Sequence, residues 1–233
     1  MHLALLQVNP RVGDVDGNAR KVIDAALAVD ADLIVAPELV ICGYPPRDLL
    51  YQAGFVEACE SAVSQIAEAC RDRTIIVGHP RRDAATGRLR NSASLLRGGM
   101  IEAVCDKQLL PGYDVFDEDR YFEPGESSCV VDIDGHRVGI AICEDLWQGG
   151  DAGASSRYDH DPIAAIVSEG CSVIVVPSAT PFVTGKRCRH IEQLMDTAAA
   201  HNVAIAMVNQ LGANDDLIFD GGAMAAGPQG LLL

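Results

Sequence analysis

"GHRVGIAICEDLWQGG", residues 135–150, starts at a turn, runs on as an apolar strand and breaks off at a cysteine followed by two acids. Its beginning belongs to "DIDGHRV", where Asp134-Gly135 is a hairpin signal between two strand-like runs. The strands on either side are therefore expected to be antiparallel neighbours. Its end puts Cys143 where a strand stops, and "EDLW" can open a tight turn that leaves backbone N–H groups free.

On the N-terminal side the chain reads β-α-β-α-β. "LALLQV" (3–8) is a strand, and "DGNARKVIDAALAVDA" has helical spacing with Asp16 or Asn18 as the expected N-cap. "DLIVAPE" is a short apolar strand, "DLLYQAGFVEACESAVSQIAEACRD" a long helical pattern broken near Gly54, and "TIIVGHP" a buried strand. "NSASLLRGG" and "MIEAVCDKQ" follow as strands joined by glycine turns. On the C-terminal side "IAAIVSEG" and "CSVIVVPSA" give helix then strand, "KRCRHIEQLMDTAAAHN" an amphipathic helix ending at Asn202, and "VAIAMVNQ" another buried strand. "DLIFDGGAMAAGPQGLLL" closes with a strand, a break and a hairpin whose second arm stops. Mixed strand directions with helices at both ends predict a layered α/β protein whose mixed sheets carry helices on one side. The segments 107–127 and 146–160 are long for structureless connections, a length usual for functional or mobile loops.

Composition narrows the function classes. The 233 residues are 48% hydrophobic and 22% charged, ordinary globular usage, and the net charge of −15 repels phosphate backbones. No Lys/Arg run and no membrane-length apolar stretch is present, so nucleic acid and membrane partners are not expected and the protein reads as cytoplasmic. The eight cysteines lack the density of a secreted scaffold and are expected to be mostly reduced. Cys59, Cys70, Cys105, Cys129 and Cys171 read as small buried hydrophobes. No C-x-x-C occurs, which removes the sequence support for zinc, haem or thioredoxin chemistry.

Three strand ends carry chemistry-bearing side chains. Cys143 is either one more small buried residue or a nucleophile, which needs a nearby base or cation and donors aimed at an oxyanion. Glu38 ends "LIVAPE" with apolar residues on both sides; it is a capping acid or a general base, since such a carboxylate is costly unless paired or used. Lys107 ends "MIEAVCDK" before a loop of aromatics and acids; alone it reads as a solvated charge. Together, Glu, Lys and Cys at the ends of apolar strands are the material from which α/β enzymes assemble sites. The histidines offer no rival: His190 lies two residues from Cys188 on one helix, so the two do not share a face.

"PELVICGYPPRDLL", "KQLLPGYDVFDEDRYFEPG" and "GIAICEDLW" resemble, in this order, motifs of the nitrilase (carbon-nitrogen hydrolase) superfamily, and more narrowly of the glutamine-amidase domain of glutamine-dependent NAD synthetases. The likeness runs over essentially the whole chain. It implies a four-layer αββα sandwich and a triad of Glu38 as general base, Lys107 as oxyanion stabiliser and Cys143 as nucleophile. It implies glutamine contacts at Tyr113, Glu144, Thr180 and Lys186, with Thr180 standing where the subfamily is expected to carry serine. The implied reaction is hydrolysis of glutamine to glutamate and ammonia through a γ-glutamyl thioester, with no metal or organic cofactor. The resemblance makes residues 1–233 one glutamine-amidase domain, and the abrupt last hairpin arm gives the expectation of a shortened C-terminus. ATP and deamido-NAD belong to a linked C-terminal NAD synthetase domain, whose phosphate-binding loop this sequence lacks. Homo-oligomers built by packing sandwiches together are the family's habit. Two other readings stand beside it: a free-standing amidase for another small amide or carbamoyl compound, and a catalytically silent assembly or regulatory module.

Overall fold

The chain is described here by a computed structural model covering residues 1–147 and 158–232. Its first half builds one five-stranded sheet from β1 (Leu3–Leu5), β2 (Leu33–Val35), β3 (Ile75–Arg82), β4 (Leu89–Arg97) and β5 (Met100–Asp106), in that spatial order. The helices α1 (Val15–Leu27) and α2 (Phe55–Ala69) supply the crossovers that make β1, β2 and β3 parallel, while β4 and β5 return antiparallel through glycine turns. After the four-residue helix α3 (Glu118–Tyr121), the second half repeats the plan with β6 (Val130–Ile133), β7 (His136–Ile140), α4 (Pro162–Ser168), β8 (Val173–Ser178), α5 (Lys186–His201) and β9 (Ala204–Asn209). A hairpin of β10 (Leu211–Asn214) and β11 (Leu217–Asp220) projects before β12 (Met224–Ala226) completes the second sheet, ordered β12-β9-β8-β7-β6.

The apolar runs are continuous because both faces of each sheet are covered. Along β2, Ile34 packs outward with Val22, Val63 and Ile66 of α1 and α2. Its neighbours Leu33 and Val35 join Ile76 and Leu95 against Val138, Ile140, Val175 and Val208 of the second sheet. On the far side Ile174, Val176 and Ile205 meet Ile163, Ile166 and Leu194 of α4 and α5. The result is the αββα sandwich that the resemblance implies. Among the described residues no helix is long and apolar enough to cross a membrane.

The strand expected over 3–8 is confined to Leu3–Leu5, and β10 was not expected; other local signals hold, with an exception at the cap of α1 and another among the cysteines. Asp134 (φ 52°) and Gly135 (φ 81°) make the β6–β7 turn, α2 starts after Gly54 (φ 82°), and α5 ends at Asn202 in the left-handed region. The cap of α1, however, is Asp14, which accepts the Gly17 N–H at 3.1 Å. Asn18, expected as a cap, is fully buried, its amide donating to the carbonyls of Arg11 and Ile41. Its side chain is spent tying the loop before the helix to the loop after β2.

The second exception concerns cysteine. Cys105 on β5 and Cys129 just before β6 form a disulfide, with Cα atoms 5.6 Å apart, where a small buried hydrophobe was expected at each. Spacing alone could not show it, because the pair joins the edge strands of two different sheets. Alkylation of the unfolded, unreduced chain is expected to modify the six cysteines Cys42, Cys59, Cys70, Cys143, Cys171 and Cys188. The double substitution Cys105→Ala/Cys129→Ala is expected to lower the unfolding free energy in urea by about 3 kcal/mol, the value for closing a loop of this length.

Candidate active site

Glu38 sits in the turn that follows β2, fully buried. The turn passes so close to β3 that a Cβ on Gly78 would collide with the backbone of Pro37, Glu38 and Leu39, and Leu39 itself has φ 46°. Both carboxylate oxygens of Glu38 are engaged. Oε1 accepts the Asn91 amide at 2.8 Å and the Lys107 ammonium at 2.7 Å; Oε2 accepts the Ala179 backbone N–H at 3.0 Å from beyond β8 of the opposite sheet.

Lys107 leaves the end of β5 into the same place, with 1% of its surface exposed. The expectation of a solvated charge for this lysine taken alone does not hold. Its Nζ donates to both oxygens of Glu118, each at 2.8 Å, as well as to Glu38. Tyr44 Oη donates to Glu118 Oε1 at 2.7 Å and Asn91 to Oε2 at 3.2 Å. Burial works against the ammonium, but the carboxylates of Glu118 and Glu38 outweigh it and hold the Lys107 pKa well above the ordinary lysine range. Burial raises Glu118 and, with the nearby carboxylates, raises the Tyr44 phenol as well.

Cys143 lies three residues beyond β7, at the start of a 3₁₀ turn (Cys143–Leu146), with φ 46°. Such a conformation costs a non-glycine residue about 1–3 kcal/mol and is held only where the surroundings impose it. Its Sγ is 3.5 Å from Thr180 Oγ1. Burial and the charge of Glu38 push the thiol well above its usual range despite Lys107, so the resting group is a neutral thiol.

Cys143 opens on a cavity whose wall includes Tyr113, Glu144, Thr180 and Lys186, the four residues the resemblance implies as glutamine contacts. Glu144 Oε1 accepts the hydroxyls of Tyr113 at 2.9 Å and Tyr158 at 3.1 Å. Burial raises its carboxyl, opposed by Lys107 and the two phenols. Thr180 is fixed by Asn209, which accepts its N–H at 2.8 Å and donates to its carbonyl at 2.9 Å. Trp147 and His190, stacked with ring centroids 4.2 Å apart, close another side. Most of the segment 146–160 lies outside the described residues; at its C-terminal end Tyr158 returns to Glu144 and His160 meets Gln108 at 2.7 Å.

Glu38, Lys107 and Cys143 thus share one buried electrostatic environment, and the other four residues line the space in front of the thiol. Asn91, Glu118 and Tyr44 were not singled out in the sequence, although they complete the hydrogen bonds of the two charged residues.

Two helix-backed sheets thus bring a buried Glu-Lys pair and a cysteine together at their strand ends. Residues 2–233 match the carbon-nitrogen hydrolase family, and the chain belongs to that family. It is 39% identical over 240 aligned residues to the glutamine-dependent NAD(+) synthetase of Synechocystis sp., covering 99% of this chain and 43% of that one. It superposes with a TM-score of 0.90 at 32% identity on the glutamine-dependent NAD+ synthetase from Acinetobacter baumannii, covering 99% of this chain and 42% of that one. A Nesterenkonia amidase from the nitrilase superfamily matches at a TM-score of 0.84 and 25% identity over all of this chain and 85% of that one. A mutant of that amidase shows covalent addition of the acetamide moiety of fluoroacetamide at its active site cysteine. The chain spans less than half the length of the synthetases it matches.

The buried charges make a stability prediction. Lys107→Met keeps the apolar stem and leaves two carboxylates unpaired, which is expected to lower the unfolding free energy by about 3–5 kcal/mol near neutral pH. Burial raises Glu118 and Lys107 opposes the rise, so without the lysine the folded state binds a proton there more tightly than the wild type does. The deficit is therefore expected to shrink as pH falls towards about 5. Urea titrations of both proteins across this range check the sign; a deficit that grows towards acid contradicts it.

Proposed function

We propose that this chain hydrolyses the side-chain amide of glutamine, using Cys143 as nucleophile, Glu38 as general base and Lys107 as oxyanion donor. The observation that carries the reading is the fully buried Lys107–Glu38 ion pair beside a cysteine held at positive φ on a cavity wall. The cysteine adduct in the related amidase supports the same role for Cys143.

The thiol is neutral at rest, so its proton must leave as the bond to carbon forms. Glu38 takes that proton while Sγ attacks the carboxamide carbon. Lys107, kept charged by two carboxylates, cannot serve as the base; with the Glu144 backbone N–H at the turn it stabilises the tetrahedral oxyanion. Collapse expels ammonia, which carries the proton returned by Glu38, and leaves a γ-glutamyl thioester. Glu38 then removes a proton from water, the resulting oxygen adds to the thioester, and glutamate departs as the thiol regains its proton. The chain's own residues supply every step.

Glutamine fits because the far end of this substrate is a zwitterion. Glu144 with its tyrosines offers an acceptor for the α-ammonium, and Lys186 on the same wall offers a cation for the α-carboxylate. The shared length with the synthetases supports a second part of the reading: the ammonia serves a linked C-terminal domain that uses ATP to convert deamido-NAD to NAD. The 85% coverage of the Nesterenkonia amidase favours the alternative of a free-standing amidase acting on another small amide or carbamoyl compound, which a substrate panel distinguishes.

Intact-mass analysis after treatment with a glutamine-derived electrophile is the test. One adduct is expected in the wild type, on Cys143, and none in Cys143→Ser. Glu38→Gln is expected to bind glutamine with turnover reduced about a thousandfold or more, consistent with removal of the base from a covalent mechanism. Labelling that survives Cys143→Ser, or other amides outrunning glutamine in turnover, overturns the corresponding part of the reading.

A further inference from the structure

Two residues after Cys143, Asp145 is 2% exposed, and its carboxylate accepts from three backbone N–H groups. Oδ1 accepts the N–H groups of Gln108 at 3.0 Å and Leu109 at 2.8 Å; Oδ2 accepts the N–H of Ile142 at 2.9 Å. Its own N–H returns to the Ile142 carbonyl at 3.1 Å. The first two donors directly follow Lys107, and the third directly precedes Cys143. One side chain therefore grips the strand end of the first sheet that carries the lysine and the strand end of the second sheet that carries the cysteine.

The grip is also local. Ile142 and Asp145 bond each other reciprocally across Cys143, so the residue at φ 46° is enclosed in a ring of two hydrogen bonds. Three N–H donors converging on two oxygens call for a group that only accepts, which an ionised aspartate is and an asparagine is not. Burial pushes the carboxyl up to about 7 while the backbone donors oppose that rise, so these bonds are what favour its charged form.

We propose that Asp145 is a positioning residue: it fixes the separation between the Lys107 ammonium and the Cys143 thiol and holds the cysteine in its strained turn. Attack and oxyanion stabilisation must converge on one carbonyl, and misplacement of reacting groups on the scale of 1 Å costs about a hundredfold in rate. The inference rests on the roles given above to Lys107 and Cys143.

Asp145→Asn tests it with nearly no change of volume. The amide oxygen can still serve Gln108 and Leu109, but a new N–H donor then faces the Ile142 N–H. Expected are a folded protein by circular dichroism, kcat for glutamine lowered at least about tenfold per site titrated with the electrophile, and KM within about threefold. A purely structural residue would instead lower the melting temperature and the titratable fraction with kcat per titrated site unchanged; that result overturns the proposal. Amide hydrogen exchange on the wild type decides the matter even where the variant fails to fold. The amides of Gln108, Leu109 and Ile142 are expected to open together, with the same protection, and independent exchange overturns the clamp. This measurement needs no substrate, so a wild type that leaves glutamine intact refutes the functional reading while the exchange data still judge Asp145.

Discussion

Everything at this site depends on one ammonium ion in a place closed to solvent. Lys107 stands between Glu38 and Glu118, and none of the three has more than a trace of exposed surface. An isolated ion there would be prohibitively costly, so each charge is tolerated only because the others are present and because Asn91, Tyr44 and the Ala179 N–H satisfy the remaining oxygens. The triplet carries a net negative charge when all three groups are ionised, which helps to keep the neighbouring thiol protonated. Glu118 meets the ammonium with both of its oxygens, leaving Glu38 with a single contact to it and a second oxygen toward the opposite sheet.

The location follows from topology. Both sheets end their parallel strands at the same rim, and the interior between them is filled with Val, Ile and Leu from one end to the other. The charged groups Glu38, Lys107 and Glu118 are gathered beyond the strand ends instead. At that rim two acids cross the seam in opposite senses: Glu38, from the first sheet, takes an N–H from the second, and Asp145, from the second, takes two from the first. The sandwich is hydrophobic in its packing and ionic in its registration.

How much of this was legible in the sequence varies with the kind of interaction. Strand identity was readable because apolar runs bounded by Gly, Pro and Asp are a local signal, and the ends of those strands led to Glu38, Lys107 and Cys143. The roles and the four cavity residues came from the resemblance, since no spacing rule connects position 38 with position 143. Glu118 was illegible: "YDVFDEDRYFEPG" contains Asp114, Asp117, Glu118, Asp119 and Glu123, and only the fold turns one of them inward. The Asp14 cap was missed for a related reason, because Asn18 had been recruited by a partner at Ile41, far away in sequence.

Gly78 shows how far such recruitment extends. It sits inside β3, offers no functional group, and matters because it is empty: the turn carrying Glu38 occupies the volume where a side chain would stand. Adding one methyl there displaces a carboxylate forty residues earlier in the chain, and with it the lysine and the cysteine that share its charge. A scan of every position would rank this glycine beside Glu38 and Lys107, although it carries no side chain at all. The geometry around Glu38, Lys107 and Cys143 is thus partly encoded by an absence.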